Sequence, residues 1–383
     1  MSNRLKNIKL IKGDTAIVII AMFLVLVSFA VAFSTSSNLV NIYNTHSYGY
    51  YFVKHLILVG MATGLFIAGM KMPVQFLRTF SKVLMIGVIG LLLYTLLFGV
   101  AANGDSARRW IRVLFFTIQP SFIAMYVIMI FTSVFLDKIK GKKTAFVDDV
   151  KHYWAWVGLA VLLIMPANNS TAFMITALVF TVLFVGGYGI KKLSAVVVIG
   201  LMSVGVYYLA AKAFPSVVPN RFETLENRIK RFFNNEEEKI VELTQPVRAR
   251  MAIATGGFFR FAPGKSVQKN MLSQSSSDFV YAIIVEEYGM FGGMIILVLY
   301  FVLFLRVFII AQNLNEYFLK ILTLALGLPV IAQALINMSV AVGLIPVTGQ
   351  PLPLISTGGT TILMTGLVLG ILVKISEKIY EET

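Results

Sequence analysis

Asp278 is the residue whose surroundings are hardest to account for without chemistry. It ends the run Ser275-Ser276-Ser277-Asp278, where a basic, glycine-punctuated stretch starting at Gln245 gives way to a long apolar run from Phe279. A carboxylate at the mouth of an apolar helix is costly to bury and marks a place where function holds it. A carboxylate there can take a proton from a nucleophile, and cations such as Lys265 and Lys269 upstream can hold an anion. Asp278 can equally cap the apolar run, because a Ser/Asp cluster before such a run is a helix-start signal. The two roles are compatible.

Other polar clusters lie at the ends of other apolar runs. Gly104-Asp105-Ser106-Ala107-Arg108-Arg109-Trp110-Ile111 is followed by Ile118-Gln119-Pro120-Ser121. Gly264-Lys265-Ser266-Val267-Gln268-Lys269 precedes Asp278, and Glu286-Glu287 follows it two turns into the next helix. Thr348, Ser356, Gly358 and Gly359 lie in a segment where three prolines and three glycines crowd 346–359. That segment cannot be a continuous helix, and irregular backbone near a membrane is tolerated where it lines a cavity.

The elements that must position these residues are membrane spans. The 383 residues are 58% hydrophobic and 13% charged, against roughly 25% charged in soluble domains. The apolar residues fall in blocks of about 20, enough to cross a hydrocarbon core of about 30 Å. The expected fold is all-α and polytopic, one membrane domain over 1–383, with about ten spans near 15–33, 52–70, 83–101, 119–136, 154–166, 171–188, 194–212, 279–304, 321–345 and 360–374. The first run follows Arg4, Lys6, Lys9 and Lys12 and is too long for the apolar core of a signal peptide, so it reads as an uncleaved span.

Connections rich in Lys and Arg alternate with 34–51, 167–170 and 346–359, which carry none. The positive-inside rule then puts both termini in the cytoplasm. Two outward segments break the pattern: Arg108-Arg109-Trp110-Ile111-Arg112, and the large loop 213–278, in which 214–277 holds ten Lys/Arg and six Glu. Cations kept on the outer face against the topology rule point to an anionic ligand there. Within that loop 221–243 reads as an amphipathic helix lying in the interface, Phe222, Leu225, Ile229 and Phe232 sharing a face. Pro246 ends it, and Gly256-Gly257 and Pro263-Gly264 turn the chain.

With no cysteine, there is no disulfide, thiolate ligand or thiol nucleophile. His46, His55 and His152 are too scattered for a histidine metal site. The net charge of +15 is spread over loops rather than gathered on a soluble surface, which excludes a nucleic-acid partner. No internal repeat supports an inverted-repeat transporter.

The clusters together, in order, resemble the SEDS family of bacterial cell-wall glycosyltransferases, whose pattern runs GARRWI, QPSE, GxGxSxQK, TDFIFAxxxEExG and GLLPxTGxPLPFISxGG. The paired Arg108-Arg109 is closer to the division-type branch than to the elongation type. The resemblance implies polymerisation of lipid II at the outer face of the inner membrane, with Asp278 as the base that activates the acceptor 4-hydroxyl and, as a further option, as a ligand of a divalent cation, Mg2+ or Mn2+. Arg108, Arg109, Lys265 and Lys269 would steady the leaving diphosphate. Ser266, Gln268, Glu286, Glu287, Thr348, Ser356, Gly358 and Gly359 complete the expected substrate-binding set, although Glu286, Glu287 and the glycines can also serve structure alone. The implied partners are lipid II and the nascent lipid-linked glycan, a class B penicillin-binding protein, other divisome membrane proteins and the bilayer, at the division septum. This chain departs from the pattern at Phe122 and Met125, where a glutamate and a lysine are usual, and at Pro166-Ala167-Asn168-Asn169-Ser170-Thr171, which lacks an aspartate. A lipid II flippase is the competing expectation; against it, the predicted spans are almost free of charge and the polar clusters gather at their outer ends.

Overall fold

Long apolar runs can satisfy their backbone groups within hydrocarbon only as helices, and the chain folds as a helical bundle. The computed structural model describes residues 13–43, 47–101, 108–113, 116–213, 245–272 and 275–381. In chain order these form α1 (Thr15–Tyr43), α2 (Tyr48–Lys71), α3 (Val74–Phe98), three short strands, α4 (Pro120–Ile139), α5 (Phe146–Asp149), a π turn (Val150–Trp154), α6 (Ala155–Ile164), α7 (Asn169–Val185) and α8 (Ile190–Ala213). Then follow α9 (Gln245–Gly256), a 3-10 turn (Gln268–Met271), α10 (Val280–Asn313), α11 (Tyr317–Ala341) and α12 (Gly359–Glu381). The N-terminal cations, Gly104–Ala107 and the expected amphipathic helix 221–243 lie outside the described residues.

Among the described residues seven helices are long and apolar enough to cross a membrane: α1 to α4 and α10 to α12. The fifth to seventh expected spans fall on the end of the π turn with α6, on the 17-residue α7, and on α8. Each expected span therefore meets a helix, and seven qualify as crossings by length and composition. The core runs through α4, α11 and α12, whose buried faces carry Met125, Met129, Leu322, Leu326 and Leu372. By contrast α1, α2, α3 and α10 leave large apolar side chains such as Ile19, Leu56, Val83 and Phe301 exposed, as a lipid-facing surface requires. α2 lies along α12, and the approach is close: a Cβ at Gly370 would stand 2.1 Å from Phe66 O. Small residues permit such packing where no hydrophobic force separates helix from lipid.

The structure departs from the all-helical expectation in one place. A small antiparallel sheet of β1 (Val100–Ala101), β2 (Arg108–Val113) and β3 (Phe116–Ile118) covers the end of α3, with Val100 opposite Trp110 and Ile111 opposite Ile118. The run RRWIRV mixes β-formers with arginines, a half-buried pattern that suits a pleated surface. Beyond the expected amphipathic helix, α9 starts at Gln245-Pro246 and ends at Gly256, where the Gly256-Gly257 pair was expected to turn the chain. Proline in the first turn starts a helix because its missing N–H is unpaired there anyway.

Candidate functional site

The segment carrying Asp278 is part of a broken helix. Within α10 Gly289 has φ 72° and ψ 175°, a conformation essentially restricted to glycine. The break separates 280–288, buried almost throughout, from the lipid-facing length beyond. The backbone groups it releases are taken up by the segment 257–262. Met290 N donates to Gly257 O at 2.9 Å, Phe291 N to Phe258 O at 3.1 Å, and Ala262 N to Glu287 O at 2.8 Å. Broken helices persist at membrane depth only where protein satisfies them.

Asp278 stands just before this short helix. The N-cap position falls on Phe279, so Asp278 lies one residue outside it. The segment 346–359 packs against it. A Cβ at Gly349, which has φ +70°, would lie 3.4 Å from Asp278 Oδ2, so glycine lets the backbone approach the carboxylate. Asn337 of α11 donates through Nδ2 to Asp278 O at 2.9 Å and to Gln350 O at 2.8 Å. Gln350 Nε2 donates to Thr171 Oγ1 at 2.9 Å, at the start of α7. Thr357 donates to Ser276 O from both N and Oγ1, each at 3.0 Å. Tyr300 OH donates to Pro353 O, and beside it Leu354 is held at φ 62°, the kind of strain that a tightly determined loop sustains. Ser356, Gly358 and Gly359 form the end of the same loop, which leads into α12, and Thr348 lies next to Gly349.

Glu286 and Glu287 end the short helix, each 2% exposed. Glu286 accepts from Ser266 Oγ, from Val267 N at 2.9 Å and from Gln268 N at 3.3 Å. Glu287 accepts from Ser34 Oγ of α1, from Ser266 N at 3.2 Å and from Gly264 N at 3.0 Å. Three bonds per carboxylate, at roughly 1.5–3 kcal/mol each for a charged acceptor, are of the same size as the several-kcal/mol cost of desolvating it. Lys269 supplies the neighbouring positive charge. Its Nζ donates to Gly264 O at 2.6 Å and reaches Ser34 Oγ at 3.5 Å. Burial pushes this ammonium below its ordinary value, and the two glutamates pull it back up. Thus Ser266, Lys269, Glu286 and Glu287 engage one another, whereas Lys265 is exposed and Gln268 half-buried.

A cavity opens among Arg108, Arg109, Gln119, Ser121 and Asn168. It is at the same end of the bundle, because Gln119 N donates to Thr360 Oγ1 at 2.8 Å, three residues past the Thr357 that holds Ser276. Arg108 donates to Leu97 O. Asn168 Oδ1 accepts from Thr171 N at 3.1 Å and caps α7. Phe122 and Met125, where the family pattern has a glutamate and a lysine, are packed in the core of α4. His55 is buried against Ser28 Oγ at 3.1 Å, and His152 Nδ1 lies 2.9 Å from Asp148 O. No three His, Asp or Glu gather as a metal-ligand set among the described residues.

The structure therefore brings Asp278 together with the 346–359 loop, and Ser266, Gln268 and Lys269 together with Glu286 and Glu287, with Lys265 exposed beside them. Arg108 and Arg109 line a cavity at the same end of the bundle. Sequence reasoning missed Asn337, Gln350 and Ser34. The signal for Asn337 was an amide in an apolar helix, one turn after Gln333, where such residues are retained for a partner.

Residues 14–381 match the family model described as a cell cycle protein, labelled for FtsW, RodA and SpoVE. The chain is 28% identical over 335 residues to a "probable peptidoglycan glycosyltransferase FtsW" of Tolumonas auensis, covering 85% of this chain and 83% of that protein. A protein of the same name from Polynucleobacter necessarius is 28% identical over 374 residues, covering 96% and 86%. Among solved structures, a chain from a peptidoglycan synthase complex described for its coordination of polymerization and crosslinking superposes with a TM-score of 0.72 at 20% identity, covering 96% of this chain and 99% of that one. The rod shape determining protein RodA of Thermus thermophilus gives 0.67 at 20% identity, covering 96% and 98%.

Proposed function

The chain belongs to the cell cycle protein family of FtsW, RodA and SpoVE, and from that premise we propose that it is a peptidoglycan glycosyltransferase that polymerises lipid II, with Asp278 as general base. The observation that carries the proposal is the placement of Asp278: a carboxylate at the start of a short buried helix, with Gly349 of an irregular loop against its oxygen. The 4-hydroxyl of an incoming lipid II attacks the anomeric carbon of the growing glycan. Its proton passes to Asp278, the new glycosidic bond forms, and the bond to the lipid diphosphate breaks. One carboxylate suffices because a diphosphate leaves without an acid, unlike the aglycone of a glycosidase, for which two carboxylates are needed.

Arg108, Arg109 and Lys265 are the cations proposed for the diphosphate, with Ser266, Gln268, Lys269, Glu286 and Glu287 holding the loop that presents Lys265. Thr348, Ser356, Gly358 and Gly359 shape the loop against the acceptor. If a divalent cation, Mg2+ or Mn2+, takes part, Asp278 would be the one protein carboxylate to hold it, since no cluster of three acidic or histidine side chains is found among the described residues. It would neutralise charge on the diphosphate. The site is proposed to face outward, in the cytoplasmic membrane at the division septum. The curated relatives above, both named FtsW, support the division-type reading. The proposed partners are a class B penicillin-binding protein and other divisome membrane proteins.

The test is polymerisation of lipid II by the protein purified with its class B penicillin-binding protein. Asp278→Ala and Asp278→Asn are expected to lower the rate by about 10²–10⁴, the usual contribution of a general base, with complex formation intact. Wild-type polymer from either variant would sink the base assignment, and Asp278-independent movement of lipid II across liposomes would favour a flippase.

A further inference from the structure

We propose that Asn337 is a positioning residue, which fastens the backbone of Asp278 to the 346–359 loop and so fixes where the carboxylate stands. The inference rests on the reading of Asp278 as the base. Asn337 is 1% exposed in α11, a turn after the buried Gln333 in an otherwise apolar stretch, where an amide is costly unless paired. Its two N–H groups are spent on two carbonyls from different parts of the chain, Asp278 O at 2.9 Å and Gln350 O at 2.8 Å. A single planar group thus sets the separation of the two segments. Gln350 is anchored in turn to Thr171 Oγ1 at 2.9 Å, and Ser276 O is held by Thr357 at 3.0 Å. Asp278 is therefore tied on its own carbonyl by Asn337, which also holds the loop at Gln350 O, and two residues upstream by Thr357 of that loop, whose Gly349 faces Oδ2. No other residue type of this size offers two N–H donors from one atom: an ionised aspartate has no donor, and a serine has one O–H. Asn337 does not have to touch substrate for this role; it acts through Asp278.

The experiment compares Asn337→Ala, Asn337→Ser and Asn337→Asp with wild type, each purified with its penicillin-binding protein and assayed on lipid II across pH, with unfolding midpoints measured alongside. Positioning predicts a fall of about a hundredfold in kcat for Asn337→Ala, the scale of a roughly 1 Å misplacement, with KM for lipid II little changed, and partial recovery in Asn337→Ser. Asn337→Asp loses both donors while its carboxyl is ionised and regains one on protonation, so its activity relative to wild type rises as pH falls. If the variants lose folded protein while the folded fraction keeps wild-type kcat and pH profile, Asn337 is structural only and the inference is overturned. Asn337→Asp assayed at low pH keeps the question open to test if the alanine variant does not fold. Asp278→Ala runs in the same assay. If it polymerises, the base reading fails; if it is inactive while Asn337→Ala turns over at the wild-type kcat, the positioning inference alone fails.

Discussion

Two buried acids, side by side, show how residue type and site separate. Glu286 and Glu287 are acidic residues close to the proposed site, yet the donors they meet are Ser34, Gly264, Ser266, Val267 and Gln268 of their own chain. From sequence they could belong to substrate or to structure, because a Glu-Glu pair carries no sign of its partners. Asp278 was legible for the opposite reason: its position at the start of an apolar run is itself the anomaly. Glu287→Gln would set an amide N–H against at least one N–H or O–H donor. The expected loss is about 1–3 kcal/mol, seen as a lower unfolding midpoint of the purified protein in detergent. An unchanged midpoint would show that the carboxylate is not what holds the Gly264–Gln268 backbone.

At the scale of elements, the apolar blocks predicted where helices lie, because helix is the form a long apolar run takes in lipid. The irregular course of 346–359 was also readable, since prolines and glycines at that density leave no continuous helix. The break at Gly289 was not. A single glycine in an apolar run signals little, and what decides its conformation is the segment 257–262 packing against it from elsewhere in the chain. The strands β1 to β3 were missed because short pairings depend on a partner strand, not on local pattern. Gly289→Ala tests the break. The added Cβ would meet Phe258 O at 2.6 Å, and the backbone strain alone is of order 1–3 kcal/mol. The variant is expected to unfold at lower temperature and to lose polymerase activity with it; a variant as stable as wild type would mean that the helix runs through.

For the whole molecule, the distribution of Lys and Arg sets the proposed orientation, with the Asp278 end of the bundle outward. The chain contains no cysteine, so single cysteines can be read against a clean background. Phe261, 83% exposed beside the broken helix, and Lys142, exposed after α4, are expected on opposite faces. In spheroplasts a membrane-impermeant maleimide should label Phe261→Cys and leave Lys142→Cys unlabelled until the membrane is opened. Labelling of Lys142→Cys in sealed spheroplasts would invert the topology and place Asp278 away from an external substrate.

The lock between Gly264–Gln268 and Glu286–Glu287 also constrains how this protein can be recombined. Neither half is self-sufficient: the carboxylates have their donors in the other stretch, and the ammonium of Lys269 has its counter-charges there. A chimera that imported one stretch from a relative with a different pairing would inherit buried acids without donors, or donors without acids. The two stretches, with Ser34 of α1, form a single unit of exchange although they are not contiguous in the chain, and they can be transplanted only together.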